Sequence, residues 1–282
     1  MSRLYEVFTP DVRFEFGENW RQFLNTLNEQ RIGEAERSLQ QMLGTRRLEG
    51  KTFLDIGSGS GLFSLAARRL GARVHSFDYD QQSVTCTQEL KRRFFADDAD
   101  WIIEQGSVLD TSYVKSLGQF DIIYSWGVLH HTGNMWQALE NSSILVRRGG
   151  KLFISIYNNQ GRWSVIWRSI KKTYNRLPKS LRLPLAIAVM GIREMRSVFA
   201  YMGKFQPMGY VRSWTHYYES RGMSRWHDLL DWIGGYPFEV ARPEEIFNFF
   251  RDRGYALEQL KTCAGGMGCN EFVFARINKA LQ

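Results

Sequence analysis

The sequence has little cysteine, little proline and no long apolar run. Its 282 residues include 3 cysteines and 6 prolines, so we expect reduced thiols rather than a disulfide framework. The longest apolar run, Leu183 to Ile192, is far shorter than the ~20 residues of a membrane-spanning helix. The N-terminal residues Met1 to Glu6 lack the apolar core of a secretory signal peptide. These absences together predict a cytoplasmic protein.

Metal-ligating residues are also sparse. Cys263 and Cys269 flank a glycine-rich loop, but no histidine or third cysteine is close to them in the sequence. A structural zinc site needs four such ligands, so the sequence predicts no metal site. The apolar content of 44% in a chain of this length predicts one large core with an appended cap.

Basic charge is concentrated in one segment. The whole chain has 37 Lys and Arg against 29 Asp and Glu, whereas residues 160–235 have 13 against 4. The rest of the chain is therefore close to neutral. Aromatic residues are interspersed with the basic ones, which leaves three interpretations open: a solvated helical lid, a contact with anionic lipid headgroups, or a path along a nucleic-acid backbone.

The most informative motif joins an apolar strand to an apolar helix at residues 54–61, Leu54-Asp55-Ile56-Gly57-Ser58-Gly59-Ser60-Gly61. Strand, glycine-rich turn and helix open many nucleotide-binding α/β folds. A dinucleotide fingerprint needs a third glycine where this chain has Leu62. The spacing, with Asp55 ahead of the glycines, therefore favours a ligand with an ammonium and a carboxylate group over a diphosphate. An ordinary tight turn is the alternative interpretation.

Polar residues follow several further predicted strands. Asp78 ends a predicted strand over Arg73 to Phe77, where a carboxylate can accept hydrogen bonds from both ribose hydroxyls. Three more predicted strands come next, and a break at Gly149-Gly150 precedes the last of them, the fifth strand. The later segments are Trp101 to Ile103 before Gly106-Ser107-Val108, Phe120 to Ser125 before Trp126, and Lys151 to Tyr157. A helix opened by Pro243 and two final strands, Ala256 to Lys261 and Asn270 to Arg276, complete the pattern.

This order of features resembles the class I S-adenosylmethionine-dependent methyltransferases, over roughly residues 50–157 and 237–276. The resemblance is to the small-molecule type, the ubiquinone and sugar O-methyltransferase-like group. It implies a Rossmann-like α/β fold: a seven-stranded sheet with helices on both faces and the last strand antiparallel. It also implies a helical N-terminal cover over residues 1–48 and a methyltransferase domain over 49–282, with a basic helical cap inserted at about 158–236.

The resemblance implies S-adenosyl-L-methionine as cofactor and a set of residues that hold it. Asp55 and the glycine turn would hold the amino-acid half, Asp78 the ribose, and the residues after the third strand the adenine. Aromatic residues at two strand ends would line the site. The full predicted cofactor set is Asp55, Gly57, Ser58, Gly59, Gly61, Asp78, Tyr79, Ser107, Val108 and Trp126.

His130 and His131 are the predicted catalytic residues. They follow the fourth strand, in a run that resembles the LHH segment of small-molecule methyltransferases, and histidine is the natural general base near neutral pH. The alternatives are that one histidine caps the helix starting near Asn134 while the other packs beneath the sheet, or that His216 or His227 is the base. The predicted acceptor-binding residues are Tyr157, Asn158, Trp226, His227 and Asn270.

The sequence therefore predicts methyl transfer to a hydroxyl of a small or lipid-linked acceptor, such as a sugar or a quinone precursor. Peripheral contact with an anionic membrane is one expectation for the basic segment. Two other functions remain open at this point: RNA methylation with the basic segment on phosphates, and noncatalytic nucleotide binding.

Overall fold

The computed structural model describes residues 20, 24, 27–203, 205–215 and 232–277. Its helices are α1 (Glu29–Leu43), α2 (Leu62–Arg69), α3 (Gln81–Phe94), α4 (Thr111–Ser116), α5 (Met135–Ile144), α6 (Arg162–Arg176), α7 (Lys179–Gly203), α8 (Pro207–Thr215) and α9 (Pro243–Arg251). Its strands are β1 (Thr52–Ile56), β2 (Arg73–Asp78), β3 (Trp101–Gln105), β4 (Phe120–Trp126), β5 (Val146–Tyr157), β6 (Tyr255–Lys261) and β7 (Cys269–Arg276).

The strands form a seven-stranded sheet in the order β3-β2-β1-β4-β5-β7-β6. The pairs among β1 to β5 are parallel, whereas β7 is antiparallel to both β5 and β6. This confirms the predicted fold class, including the single reversed strand. The strands β1, β2 and β3 run outward to one edge of the sheet, and the chain then returns to place β4 on the other side of β1. This reversal makes a switch point between β1 and β4. Open α/β sheets bind ligands at the carboxyl ends of the strands beside such a point.

Alternating apolar residues fill both faces of the sheet. Leu54 and Ile56 of β1 belong to one buried cluster, which also contains Phe250 of α9. Phe53 of the same strand belongs to the other cluster, with Leu39 of α1 and residues of α2 and α3. Helices thus cover both faces, and all the polar ends of the parallel strands lie along one edge.

The predicted start of the fifth strand at Lys151 is wrong, because β5 begins at Val146 and runs through Gly149 and Gly150. A Cβ atom at Gly150 would lie 2.8 Å from the Asp121 carbonyl oxygen. The pairing of β4 with β5 also shifts register between Phe120 and Ile122. The glycines therefore permit a close approach of two strands at an irregularity instead of marking a break.

Backbone contacts divide the chain into two units. The sheet unit comprises, among the described residues, 20, 24, 27–164 and 239–277. The helical unit comprises 165–203, 205–215 and 232–238 and has a small buried cluster of its own around Tyr174, Ala186, Met190 and Ile233. Helix α1 belongs to the sheet unit, so the separate N-terminal cover over residues 1–48 stays a prediction. Within the described ranges, no helix is long and apolar enough to span a membrane.

Candidate active site

The glycine turn after β1 is built by close backbone packing. The amides of Gly57 and Ser58 donate to the Phe77 carbonyl oxygen at 2.8 and 3.2 Å, so the turn is fixed to the end of β2. Gly57 and Gly61 have φ of +79° and +81°. A Cβ atom would lie 2.4 Å from Val128 Cγ1 at Gly57 and 2.9 Å from the Thr87 Cα atom at Gly61. Both positions therefore require glycine on steric and conformational grounds.

Gly59 lies under an aromatic ring. A Cβ atom there would lie 3.1 Å from the indole ring of Trp20, and Gly59 has φ of +55°. Trp20 lies in residues 1–48, the segment predicted to form the N-terminal helical cover, and residues 1–19 lie outside the described ranges. The indole thus covers the part of the turn where a ligand would pass the backbone.

Asp78 lies directly beside this turn. Its Oδ2 accepts a hydrogen bond from the Gly59 amide at 2.9 Å, and its Oδ1 accepts one from the Asp80 amide at 2.9 Å. The next residue, Tyr79, is 55% exposed, and its carbonyl oxygen accepts a bond from Gln105 Nε2 at 3.0 Å. The structure therefore brings the predicted ribose-binding carboxylate and the predicted amino-acid turn together.

Asp55 is buried, with one carboxylate oxygen engaged on the helix side. Its Oδ2 accepts a 2.5 Å hydrogen bond from Ser64 Oγ of α2, which in turn accepts one from Ser76 Oγ of β2. Burial raises the pKa of Asp55 to about 7; the Ser64 hydrogen bond opposes this rise and the negative charge of Asp78 adds to it. The acid of the motif thus changes charge near neutral pH. The sequence analysis did not identify Ser64 and Ser76 as the hydroxyl groups next to Asp55. The only sign of them in the sequence is that each serine lies within an apolar run.

The loop after β3 lies next to Asp78, because the Gly106 amide donates to the Asp78 carbonyl oxygen at 3.0 Å. Ser107 Oγ accepts a bond from the Leu109 amide at 3.2 Å. Val108 is buried, and its carbonyl oxygen accepts a bond from Asn141 Nδ2 at 2.7 Å. The predicted adenine loop is therefore held beside the predicted ribose site.

The two histidines form a single 3-10 turn, Leu129–His131, after β4. His130 is fully buried and His131 is 8% exposed. The ring centroid of Tyr157, at the end of β5, is 4.0 Å from that of His130 and 5.4 Å from that of His131. Two imidazoles and a phenol thus form one aromatic cluster at the ends of β4 and β5.

Glu239 anchors this histidine turn and was not identified from the sequence. Its amide donates to the His130 carbonyl oxygen at 3.0 Å, and its Oε2 accepts a 2.9 Å bond from the amide of Met135, the first residue of α5. The carboxylate thus caps the helix start that one of the alternative interpretations assigned to a histidine. A glutamate more than a hundred positions away carries no local capping pattern, so no signal in the sequence could identify it.

Asn158 and Asn270 are buried and engaged with the loop that joins β6 to β7. Asn270 Nδ2 donates to Asn158 Oδ1 at 3.1 Å, and Asn158 Nδ2 donates to the Gly266 carbonyl oxygen at 3.2 Å. Asn270 Oδ1 also accepts a bond from the Cys263 amide at 3.2 Å. Their amides therefore support the loop, and contact with an acceptor stays a prediction.

The remaining predicted residues fall into two groups. Trp126, at the end of β4, is 42% exposed, and its contact with a cofactor stays a prediction. His216, Trp226 and His227 lie outside the described residues. Across the part of the chain that the structure describes, no group of three or more histidine, cysteine or acidic residues could hold a metal ion.

The residues present fit S-adenosylmethionine. The turn over Gly57 to Gly61 has backbone where side chains would collide, which suits the passage of a ligand chain along it. The Asp78 carboxylate at the end of β2 suits a pair of vicinal hydroxyls. When the carboxyl group of Asp55 is ionised, it places a negative charge near the same turn. An ammonium group of the ligand requires such a charge.

Comparison with known proteins identifies the family of the chain. The methyltransferase domain family matches residues 27–257. The ubiquinone biosynthesis O-methyltransferase of Coxiella burnetii is 27% identical over 141 residues, 47% of this chain and 55% of that protein. The ribosomal protein L11 methyltransferase of Thermotoga maritima is 40% identical over 78 residues, 27% of each chain. The chain thus spans about half or less of the length of these curated relatives.

A solved structure also shares the fold. The magnesium protoporphyrin IX methyltransferase of Synechocystis PCC 6803, crystallised with bound SAH, superposes with a TM-score of 0.52 at 14% identity, covering 92% of this chain and 93% of the other. The family match covers most of the sequence, including β1 to β5 and α9. The chain therefore belongs to the methyltransferase domain family.

Proposed function

We propose that this protein methylates a hydroxyl group of a small or lipid-linked acceptor, of the sugar or quinone-precursor type. One observation carries the proposal: β1 and β4 are paired neighbours, so the glycine turn and the histidine turn follow adjacent strands. The contact of Gly57 with Val128, two residues before His130, joins the two turns directly. A cofactor turn and a candidate base are therefore held side by side.

In this proposal, Gly57, Ser58, Gly59 and Gly61 hold the amino-acid half of S-adenosylmethionine together with Asp55. Asp78 accepts the ribose hydroxyls, and Tyr79, Ser107 and Val108 enclose the adenosine. When bound, the cofactor supplies an electrophilic methyl group. Trp126 and Tyr157 line the acceptor side, and positioning by these groups contributes to the rate independently of any base.

His131 is the better candidate for the base. It keeps 8% of its surface exposed, whereas His130 is fully buried next to the His131 and Tyr157 rings. A ring nitrogen of His131 would take the proton of the acceptor hydroxyl as its oxygen attacks the methyl carbon. His130 then has a positioning role. The O-methyltransferase activity in the name of the Coxiella burnetii relative supports an oxygen acceptor.

The lipid-linked form of the acceptor implies that the protein contacts a membrane peripherally. The competing acceptor is RNA, which the basic segment at 160–235 favours. A noncatalytic nucleotide-binding protein would keep the glycine turn and Asp78 without any use for a base at the end of β4.

The test is an acceptor screen with S-adenosylmethionine carrying an isotopic label in its methyl group. Catechols, polyprenylated phenols, free sugars and structured RNA would be offered in parallel, with the Asp78→Ala variant as the cofactor-binding control. We expect label in a hydroxyl compound and none in RNA. Label in RNA alone would overturn the proposal, and so would cofactor binding by calorimetry without label in any acceptor class.

A further inference from the structure

The end of the helical unit exposes large apolar side chains. We call residues 199–203 and 205–208, where α7 is followed by α8, the hairpin tip. Large apolar side chains of the hairpin tip are 57 to 93% exposed, namely Phe199, Met202, Phe205 and Met208. Phe205 is the most exposed at 93%. A single exposed apolar residue is ordinary, but a cluster of them marks an interaction surface.

The turn of the hairpin tip is well formed. The Phe205 amide donates to the Met202 carbonyl oxygen at 2.9 Å, and the Gln206 amide donates to the Tyr201 carbonyl oxygen at 2.9 Å. Phe205 has φ of +55°, a conformation in which a bulky residue is uncommon. Next to the turn, the Tyr210 hydroxyl donates to Glu194 Oε2 at 3.0 Å. The polar groups of the hairpin therefore interact with one another while the phenylalanine points outward.

The exposed surface continues along α7. Leu183, Ile187 and Met195 are each at least half exposed. At 100° per residue, these positions and those of Phe199 and Met202 lie within about 160° of the helix circumference. The buried residues Ala186 and Met190 lie next to this arc, about 60° and 20° from Leu183 on the same scale. Helix α7 thus has an apolar stripe facing outward in addition to its inner packing face.

Positive charge is concentrated in the same stretch of sequence. Between residues 162 and 215 the sequence has eleven Lys and Arg and one acid, Glu194. On α6, Arg168, Lys172 and Arg176 follow one another at intervals of four, a spacing that places them on one helix face. Lys171 is not part of this row, because it is buried and its Nζ donates to the Trp232 carbonyl oxygen.

We propose that the hairpin tip and the stripe of α7 seat the protein in the headgroup region of an anionic membrane, with the basic row of α6 on lipid phosphates. An apolar face with cations nearby is the composition of a helix that lies in a membrane interface. Nucleic acid would use the cations but leave the phenylalanine and methionine side chains in water. A second copy would bring the same positive charge to the contact. The membrane contact itself does not depend on the proposed function. Only its link to a lipid-linked acceptor rests on that proposal.

Vesicle co-sedimentation tests this surface without cofactor or acceptor, so its outcome is independent of the methyl-transfer proposal. The full chain would be mixed with vesicles of phosphatidylglycerol and phosphatidylcholine, and separately with phosphatidylcholine alone. We expect binding to the anionic vesicles and at least about tenfold weaker binding to the neutral ones. Equal binding to both, or none to either, would overturn the proposal.

Two matched pairs of variants locate the contact. Phe199→Ser/Phe205→Ser should weaken anionic-vesicle binding about tenfold or more, whereas Ile102→Ser/Leu260→Ser, at exposed positions of the sheet unit, should leave it unchanged. Lys172→Glu/Arg176→Glu should also weaken it, unlike Lys115→Glu/Arg242→Glu, which has the same charge change on the sheet unit. Circular dichroism would verify that all four variants are folded.

Three results would contradict the inference. Equal losses in a variant pair and its control would show that the effect is not specific to the helical unit. A change from dimer to monomer in Phe199→Ser/Phe205→Ser, measured by sedimentation velocity, would show that a second copy covers the tip. An RNA duplex that displaces both the wild-type protein and the Phe199→Ser/Phe205→Ser variant from vesicles would assign the surface to nucleic acid.

Discussion

The ends of β1 and β2 differ from the ends of β4 and β5, although the four strands belong to one parallel set. At β1 and β2 the surface consists of glycine backbone and one carboxylate, and Asp78 bonds directly to Gly59. At β4 and β5 the surface consists of three rings, two imidazoles and a phenol, whose centroids are 4.0 to 5.4 Å apart. The first pair suits a polar ligand that needs close backbone approach, and the second suits proton transfer in a partly dehydrated setting.

This comparison predicts that substitutions at the ends of β1 and β2 change the affinity for the cofactor or the folding stability. Substitutions at the histidine turn are predicted to change the rate of methyl transfer. The largest expected effect concerns Asp55. Because its native pKa is raised to about 7 from 3.8, the native state holds a proton that the unfolded state has released between these values. Folding stability should therefore fall as pH rises through this window, by up to about 4 kcal/mol.

Asp55→Asn should remove that pH dependence, because the amide oxygen can still accept the Ser64 hydrogen bond. Urea unfolding between about pH 4 and pH 8 measures it. Asp110→Asn, at the exposed N-cap of α4, is the matched control and should keep the slope of the wild type. A slope that is unchanged in Asp55→Asn would show that this carboxyl group does not titrate in the window.

At the histidine turn, His131→Gln should lower the rate of methyl transfer to the acceptor found in the screen several hundredfold, about 3.5 kcal/mol, because the base is lost. The dissociation constant for S-adenosylmethionine should not change. His75→Gln, at a histidine that contacts Glu104 at 3.0 Å, is the control. A rise in the dissociation constant together with an unchanged rate would abolish the distinction between the two pairs of strand ends.

Asp78→Asn should weaken cofactor binding about thirtyfold, since hydrogen bonds to a charged group contribute about 2 kcal/mol. Calorimetry measures the affinity, and the rate at saturating cofactor should stay close to that of the wild type. Asp80→Asn is the control from the same turn, because its side chain caps the Gln82 amide at 2.9 Å. Equal affinity in both variants would remove Asp78 from the ribose site.

The smallest effect is expected at Trp20, whose indole covers Gly59. Trp20→Ala should weaken cofactor binding about fivefold, roughly 1 kcal/mol for one aromatic contact. Trp163→Ala, at a tryptophan that is 56% exposed on α6, serves as the control. Tighter binding in Trp20→Ala would instead mean that the indole competes with the ligand for the turn.

The β1 and β2 region was the most predictable part of the molecule. Its strands, glycine turn and helix follow from local periodicity, and Asp78 follows from its place at a strand end. What could not be predicted is which side chains oppose one another. Ser64 opposite Asp55 and Glu239 beneath the histidine turn are pairings that only the folded chain creates, because they join residues on separate elements.

Two kinds of error are instructive. Gly149 and Gly150 were interpreted as a break, but a glycine pair also permits a strand irregularity, and the sequence does not distinguish the two uses. Lys171 is one of the basic residues of 160–235 that were expected to form a charged surface, yet its ammonium group lies 4.5 Å from the Trp232 ring centroid and 4.9 Å from that of Phe238. Burial of a long basic side chain depends on rings that are distant in sequence.

The missing side chain at Gly57 has one more consequence. Because Val128 occupies the space that a side chain there would need, any larger residue would displace Val128 and shift the histidine turn that follows it. On the proposed function, this contact helps to fix the distance between the glycine turn that holds the cofactor and the histidine turn that carries the base. A larger residue at position 57 would then lengthen the reach of the proton acceptor even with every other group of the site in place.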